Sequence, residues 1–208
     1  MHSCCEGWEI DIDEDRLFVY KGFPEIASKI SEEGIPHFIL TDEGKCPFLR
    51  DDNLCQMIID HGEKFLCQIC SDHPRFRNFW TDRIEVGLGL ACEEAGRIIL
   101  GSKEPMKLVV ISDDGNDTPL PADEEWLMDV RQNLFDQIKG NGPEARLLEY
   151  LIYRHIADAL YDDRLEERVA FIQKSYDSIL DQWEETSGTF EDLVECARKY
   201  SAEFEYKA

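Results

Sequence analysis

The side chains of this 208-residue chain whose type and spacing could do chemistry are its eight cysteines. Cys4, Cys5, Cys46, Cys55, Cys67, Cys70 and Cys92 crowd the first part of the chain, and Cys196 stands alone beyond them. Disulfide frameworks belong to short secreted chains with too little core to fold otherwise. This chain is long enough to build a core. Its opening Met-His-Ser-Cys-Cys-Glu has neither the basic stretch nor the apolar run of an export signal, which predicts a cytoplasmic protein. The thiols therefore read as metal ligands, with a redox set as the alternative.

Their spacing sharpens that reading. Cys67-Gln68-Ile69-Cys70 is a Cys-x-x-Cys unit, in which one turn of chain presents two sulfurs to one ion. Cys46 and Cys55 lie at the two ends of a loop holding Pro47 and acidic residues. Adjacent Cys4 and Cys5 are expected to point apart, so that both rarely bind the same ion. Seven thiols exceed the four that a tetrahedral zinc takes; they suit a [4Fe-4S] cluster with spares, or two metal sites, with zinc as the alternative. Some could equally be buried, inert cysteines. An iron–sulfur centre needs shielding from solvent, and Trp8, Phe48, Phe76, Phe79 and Trp80 are placed in sequence either to wall one off or to fill an ordinary core.

Five blocks carry a family resemblance: Cys-Cys-Glu-Gly-Trp-Glu-Ile-Asp-Ile-Asp at 4–13, Lys-Cys-Pro-Phe-Leu at 45–49, Asn-Leu-Cys at 53–55, Leu-Cys-Gln-Ile-Cys-Ser-Asp-His-Pro-Arg-Phe at 66–76, and Gly-Leu-Gly-Leu-Ala-Cys-Glu-Glu-Ala at 87–95. In this order they resemble the flagellin lysine-N-methylase family, within a wider superfamily of zinc- or iron-chelating cysteine clusters. The resemblance covers about residues 4 to 100. It implies a metal centre on Cys5 (or Cys4), Cys46, Cys55, Cys70 and Cys92, with Cys67 optional. It also implies methyl transfer from S-adenosylmethionine to lysines of a flagellin-like protein substrate. The runner-up function is a non-catalytic zinc- or iron–sulfur-binding module that docks a partner protein.

Other chemistry is weakly signalled. Gly87-Leu88-Gly89 lacks the G-x-G-x-x-G spacing and the βαβ setting of a dinucleotide loop, so a strand passing close to another backbone is expected there. His73 and Arg75 follow Cys70 and could assist a centre, or simply brace a loop. Glu93 and Glu94 follow Cys92 at a helix start, where the dipole favours carboxylates. His155 lies among Tyr150, Tyr153 and Tyr161, the residue types of a lysine cage, but the rings do not share one face and ordinary packing is expected. No Ser-His-Asp arrangement, P-loop or His-Glu-x-x-His is found.

The charge excludes whole classes of partner. Lys and Arg number 22 against 45 Asp and Glu, a net −23. Nucleic-acid affinity comes largely from cations that displace phosphate counterions, and anionic lipid surfaces demand the same. Neither is expected here. A lysine-presenting protein, by contrast, would be attracted.

The elements that must position the thiols are short and irregular. Asp13 to Lys21, Phe23 to Ser31, Leu54 to His61, Glu63 to Cys70 and Cys92 to Leu100 read as helices or helical turns. Phe38-Ile39-Leu40, Glu85 to Leu90 and Lys107 to Ser112 have the composition of strands and could form one small antiparallel sheet. A polar, turn-rich break at 113–123 separates this part from four amphipathic stretches. In these, Asp123 is the expected N-cap of the first, Pro143 opens the second with an apolar stripe from Leu147 to Leu160, Leu165 to Trp183 form the third, and Gly188-Thr189 cap the last. The expected fold is mainly α with a small antiparallel β element. A cysteine-rich metal-binding region over 1–115 would be followed by a helical bundle over 123–208, packed as one unit.

Overall fold

The structure, a computed structural model, describes residues 3–113, 115, 118–162 and 164–205. Chain contacts divide it into two units, Met1–Pro74 and Arg75–Ala208. It is mainly helical, with two separate two-stranded antiparallel sheets.

In the first unit Asp13 caps α1 (Glu14–Tyr20), its carboxylate accepting from Arg16 N–H. Pro24 opens the short α2 (Pro24–Ala27), which ends before the expected Ser31. The reason is local: Ile30–Ser31 form β1 and pair with β2 (His37–Phe38), Ile30 opposite Phe38. Gly62, at φ 82°, stops α3 (Gln56–His61), a conformation that glycine adopts without steric cost. Glu63–Phe65 make a 3-10 turn, and α4 (Gln68–Asp72) begins only after Cys67. Ile10, Tyr20, Ile26, Phe38, Phe48 and Met57 form the core, with Cys46 and Cys67 buried among them.

The second unit opens with the hairpin β3 (Arg75–Phe79) and β4 (Ile84–Leu88), in register from Arg75 opposite Leu88 to Phe79 opposite Ile84. α5 (Glu93–Leu100) follows. α6 (Ala122–Asp136) starts after Pro121. Asp123 is not its N-cap but lies in its first turn, where Glu124 accepts from the N–H and hydroxyl of Thr81 instead. α7 (Pro143–His155) gives way to a 3-10 turn and the short α8 (Ala159–Asp162), so the apolar stripe to Leu160 is carried by two helices. α9 (Leu165–Glu184) and α10 (Phe190–Phe204) complete the bundle. Thr189 and Asp192 cap α10 reciprocally. α7 packs on α5 and α9, and α10 on α5 and α9, around Leu147, Leu151, Ile156, Ile179, Leu193 and Ala197.

Two expectations are corrected. Lys107 to Ser112 form no strand, because β-branched composition makes a strand only where an edge is available to pair. The pieces expected to share one sheet instead belong to two hairpins, and Arg75–Phe79, unforeseen as a strand, is the partner of Ile84–Leu88. Phe76 and Trp80 fill the helical core of the second unit as ordinary core side chains, and Phe79 is exposed. Among the described residues, no helix is long and apolar enough to cross a membrane.

Candidate metal centre

The first unit gathers its thiols through backbone pairings between residues distant in sequence. Glu6 and Lys45 form an antiparallel bridge, and Cys46 N–H donates to the Cys5 carbonyl at 2.7 Å, so Cys5 and Cys46 stand side by side. A second bridge joins Leu49 to Cys55. The loop between them closes through Arg50 N–H to Leu54 O (3.0 Å) and turns at Asn53, whose φ of 63° suits an asparagine. Cys55 ends this loop and immediately precedes α3.

Cys67 occupies the N-cap position of α4 and Cys70 lies inside it. α4 is held by Asp13, whose second carboxylate oxygen accepts from Gln68 N–H at 2.7 Å while the first caps α1. One side chain thus fixes the starts of two helices, the second through a backbone N–H 55 residues away. The capping half of this role is legible in sequence; nothing in the sequence signals the other half.

The thiols influence one another in pairs. The Sγ atoms of Cys4 and Cys5 are 3.5 Å apart, so the two side chains converge where divergence was expected. Hydrogen bonds to Cys4 and Cys46, reinforced by burial, push the Cys5 thiol far up. The bond from Cys5, together with the Phe48 and Leu49 amides, holds Cys46 below the usual thiol range despite burial. The Cys67–Cys70 pair repeats this: the bond from Cys70 lowers Cys67 against burial, and the same bond, then burial, raises Cys70. Burial raises Cys55. The charges of Cys4 and Cys46 act on both Cys55 and Cys70, so these thiols share one electrostatic neighbourhood.

The donor chemistry suits a thiophilic metal, with two sulfurs held toward thiolate, the ligating form. Yet among the described residues no three His, Cys, Asp or Glu side chains are arranged to hold one ion. The expectation of a metal-binding N-terminal half therefore has four of its five thiols, Cys5, Cys46, Cys55 and Cys70, in the first unit but no formed ligand sphere among the described residues.

Cys92 lies in the second unit as the N-cap residue of α5, half-buried, with Glu93 and Glu94 in the first turn behind it. Cys196 is buried on α10 in the helical core. His73 follows α4, its ring 5.6 Å from that of Trp8, and burial lowers its pKa. Arg75 begins β3. The rings near His155 form no cage: Tyr150 and Tyr153 are core residues and Tyr161 is 71% exposed. Tyr150 instead donates to Glu205 at 2.7 Å, and Glu205 also accepts from Ser201 and contacts His155 Nε2 at 3.2 Å.

The chain is similar to lysine-N-methylases. It is 26% identical over 199 residues to the lysine-N-methylase of Salmonella choleraesuis and 25% identical to that of Salmonella typhimurium, in each case over 86% of this chain and 48% of the relative. It is also 28% identical over 117 residues to the flagellar biosynthetic protein FliU of Salmonella muenchen, covering 50% of this chain and 69% of that protein. The chain spans about half the length of the two lysine-N-methylases it matches. No family model matches it, and no solved structure does.

Proposed function

We propose that this protein is a protein-lysine N-methyltransferase, transferring a methyl group from S-adenosylmethionine. The observation that carries the reading is the similarity to two lysine-N-methylases over most of this chain. In the reaction a deprotonated lysine Nζ attacks the methyl carbon of the sulfonium. A C–N bond forms, the C–S electron pair returns to sulfur, and the nitrogen sheds a proton. The strongly acidic chain favours a lysine-rich protein substrate over polyanions. A flagellin-like substrate is part of the proposal, supported by the flagellar name of one relative.

A metal centre is the second part of the proposal. The thiols proposed to hold a [4Fe-4S] cluster, or zinc in its place, are Cys5, Cys46, Cys55, Cys70 and Cys92, with Cys4 and Cys67 as further candidates. Support comes from the convergence of Cys4, Cys5 and Cys46 and from the Cys67–Cys70 pair. When bound, such a centre would supply a redox-active or structural cation. The alternative reading is a metal module that docks a partner without catalysis, with the strongly acidic chain as the docking feature.

The test is anaerobic purification with iron, zinc and acid-labile sulfide assayed together, followed by titration with S-adenosylmethionine and transfer of labelled methyl to flagellin. Labelled methyl-lysine establishes the enzyme. Bound metal without donor binding leaves the docking module, and a metal-free protein that still methylates removes the centre from the reaction.

A further inference from the structure

Between Met106 and Leu120 the second unit carries Lys107 to Ser112 outside any helix or strand. Both ends are anchored: Met106 and Leu120 pack on the helical core, and Met106 N–H donates to Glu149 at 3.1 Å. Between the anchors Leu108, Val109, Val110 and Ile111 face solvent, with Val110 and Ile111 each 85% exposed. Among the described residues, the backbone N–H and C=O groups of 107–112 make no hydrogen bond within the chain. Four consecutive exposed aliphatic residues on an unpaired backbone are what soluble proteins avoid unless something covers them.

We propose that this segment is a self-association strand, through which two copies of the chain pair antiparallel about a two-fold axis at Val110. The charges choose the register. Centring on Val110 sets Val109 opposite Ile111, Leu108 opposite Ser112, and Lys107 opposite Asp113 of the partner subunit. A two-fold axis has to pass through a residue to keep facing side chains on one face, and moving it by one residue either way sets Lys107 opposite Gly115 or Ile111 instead. Lys107 has only a loose, exposed pairing with Glu104 at 3.6 Å, and one Asp113 oxygen accepts from Gly115 N–H while the other is open to a cation. A two-fold contact repeats the Lys–Asp pair at both ends, as isologous interfaces do. Val, Ile and Leu are strong formers of such a pleated contact, and opposite charges directly across it stabilise it. The paired strands are short, roughly 20 Å long. They bury less than the ~1,200 Å² of a stable interface, so the dimer is of the weak, reversible class. This proposal stands independently of the methyl-transfer reading.

Sedimentation velocity on the full chain, from micromolar to submillimolar protein, tests it. Wild type should show a concentration-dependent monomer–dimer equilibrium. Val110→Pro, which removes a backbone donor and crowds the facing strand, should abolish it. Lys107→Glu should weaken it roughly three- to tenfold by setting like charges across the pair. Adding Asp113→Lys to that variant should restore it. Because these side chains are exposed, far-UV circular dichroism should be unchanged in every variant. A monomer at all concentrations overturns the proposal and gives the segment to another protein or another stretch of polypeptide. A dimer that survives Val110→Pro overturns it by placing the contact elsewhere.

Discussion

Glu85→Gln tests the buried charge pair that ties the β3–β4 hairpin to α6. Glu85 accepts two bonds from the Arg131 guanidinium, at 2.7 and 2.9 Å, with side chains only 2% and 9% exposed. Two charge-assisted bonds contribute about 1.5–3 kcal/mol each, and glutamine keeps one acceptor, so the direct loss is about 1.5–3 kcal/mol. To this is added the cost of leaving a guanidinium buried without its countercharge, which brings broken buried pairs to about 3–5 kcal/mol. The Trp80 and Tyr153 rings, 5.2 and 5.4 Å from the guanidinium carbon, soften that cost. The expected loss is therefore about 3 kcal/mol, or roughly 10 °C in melting temperature for a unit of this size. Urea unfolding followed by far-UV circular dichroism measures it, because the long helices lie in the second unit. Replacing both partners, as Glu85→Leu with Arg131→Met, should restore stability to within about 1 kcal/mol, since no charge is left stranded. A loss below about 1 kcal/mol for Glu85→Gln, or a double variant worse than the single one, would refute the reasoning. β4 leads directly towards Cys92, so the same variant loosens the strand that delivers that thiol.

Four further outcomes are expected. Burial alone would depress His155, but hydrogen bonds to Asp158 and Glu205 raise it above 6.5, and burial alone would raise Glu205, but its bonds to His155, Tyr150 and Ser201 bring it below 4.5. The His155 contribution is complete below pH 6.5 and fades as pH rises through its elevated folded pKa. The Glu205 contribution is complete above pH 4.5 and fades as pH falls through its depressed one. The stability difference between wild type and Glu205→Gln, from urea midpoints, should thus be greatest between pH 4.5 and 6.5. Gly87→Ala would drive a methyl into the Phe76 ring across the hairpin and cost about 1–3 kcal/mol by thermal melts. Thr189→Ala removes the α10 cap and should cost about 1 kcal/mol in the same assay. Cys46→Ala or Cys55→Ala should lose bound metal by elemental analysis whereas Cys196→Ala should not, and full metal in both of the first two would sink the ligand set.

The helices of the second unit were legible because each carries its own message. Leu147 and Leu151, Ile152 and Ile156, or Leu193 and Ala197, recur at helical spacing and are buried together. Thr189 announces α10, and Gly62 marks where α3 ends. Asp123 misled because an acidic first turn looks like a cap when Pro121 supplies no competing side chain. Arg75–Phe79 misled more deeply. Its alternation is inverted, with Asn78 buried and bonded to the Tyr153 carbonyl at 3.0 Å while Phe79 is exposed. A buried asparagine is identified only by its partner, and that partner is 75 residues away. The same holds for Glu85 with Arg131.

The thiols fall on both sides of this divide. Cys67 and Cys70 are a local pair, and local spacing was enough to couple them. Cys5 and Cys46 meet only because Glu6 bridges Lys45, a pairing between polar residues that no periodicity encodes. Within each pair the contact lowers one thiol and raises the other. A cation binding there would have to displace the thiol protons, since thiolate is the ligating form.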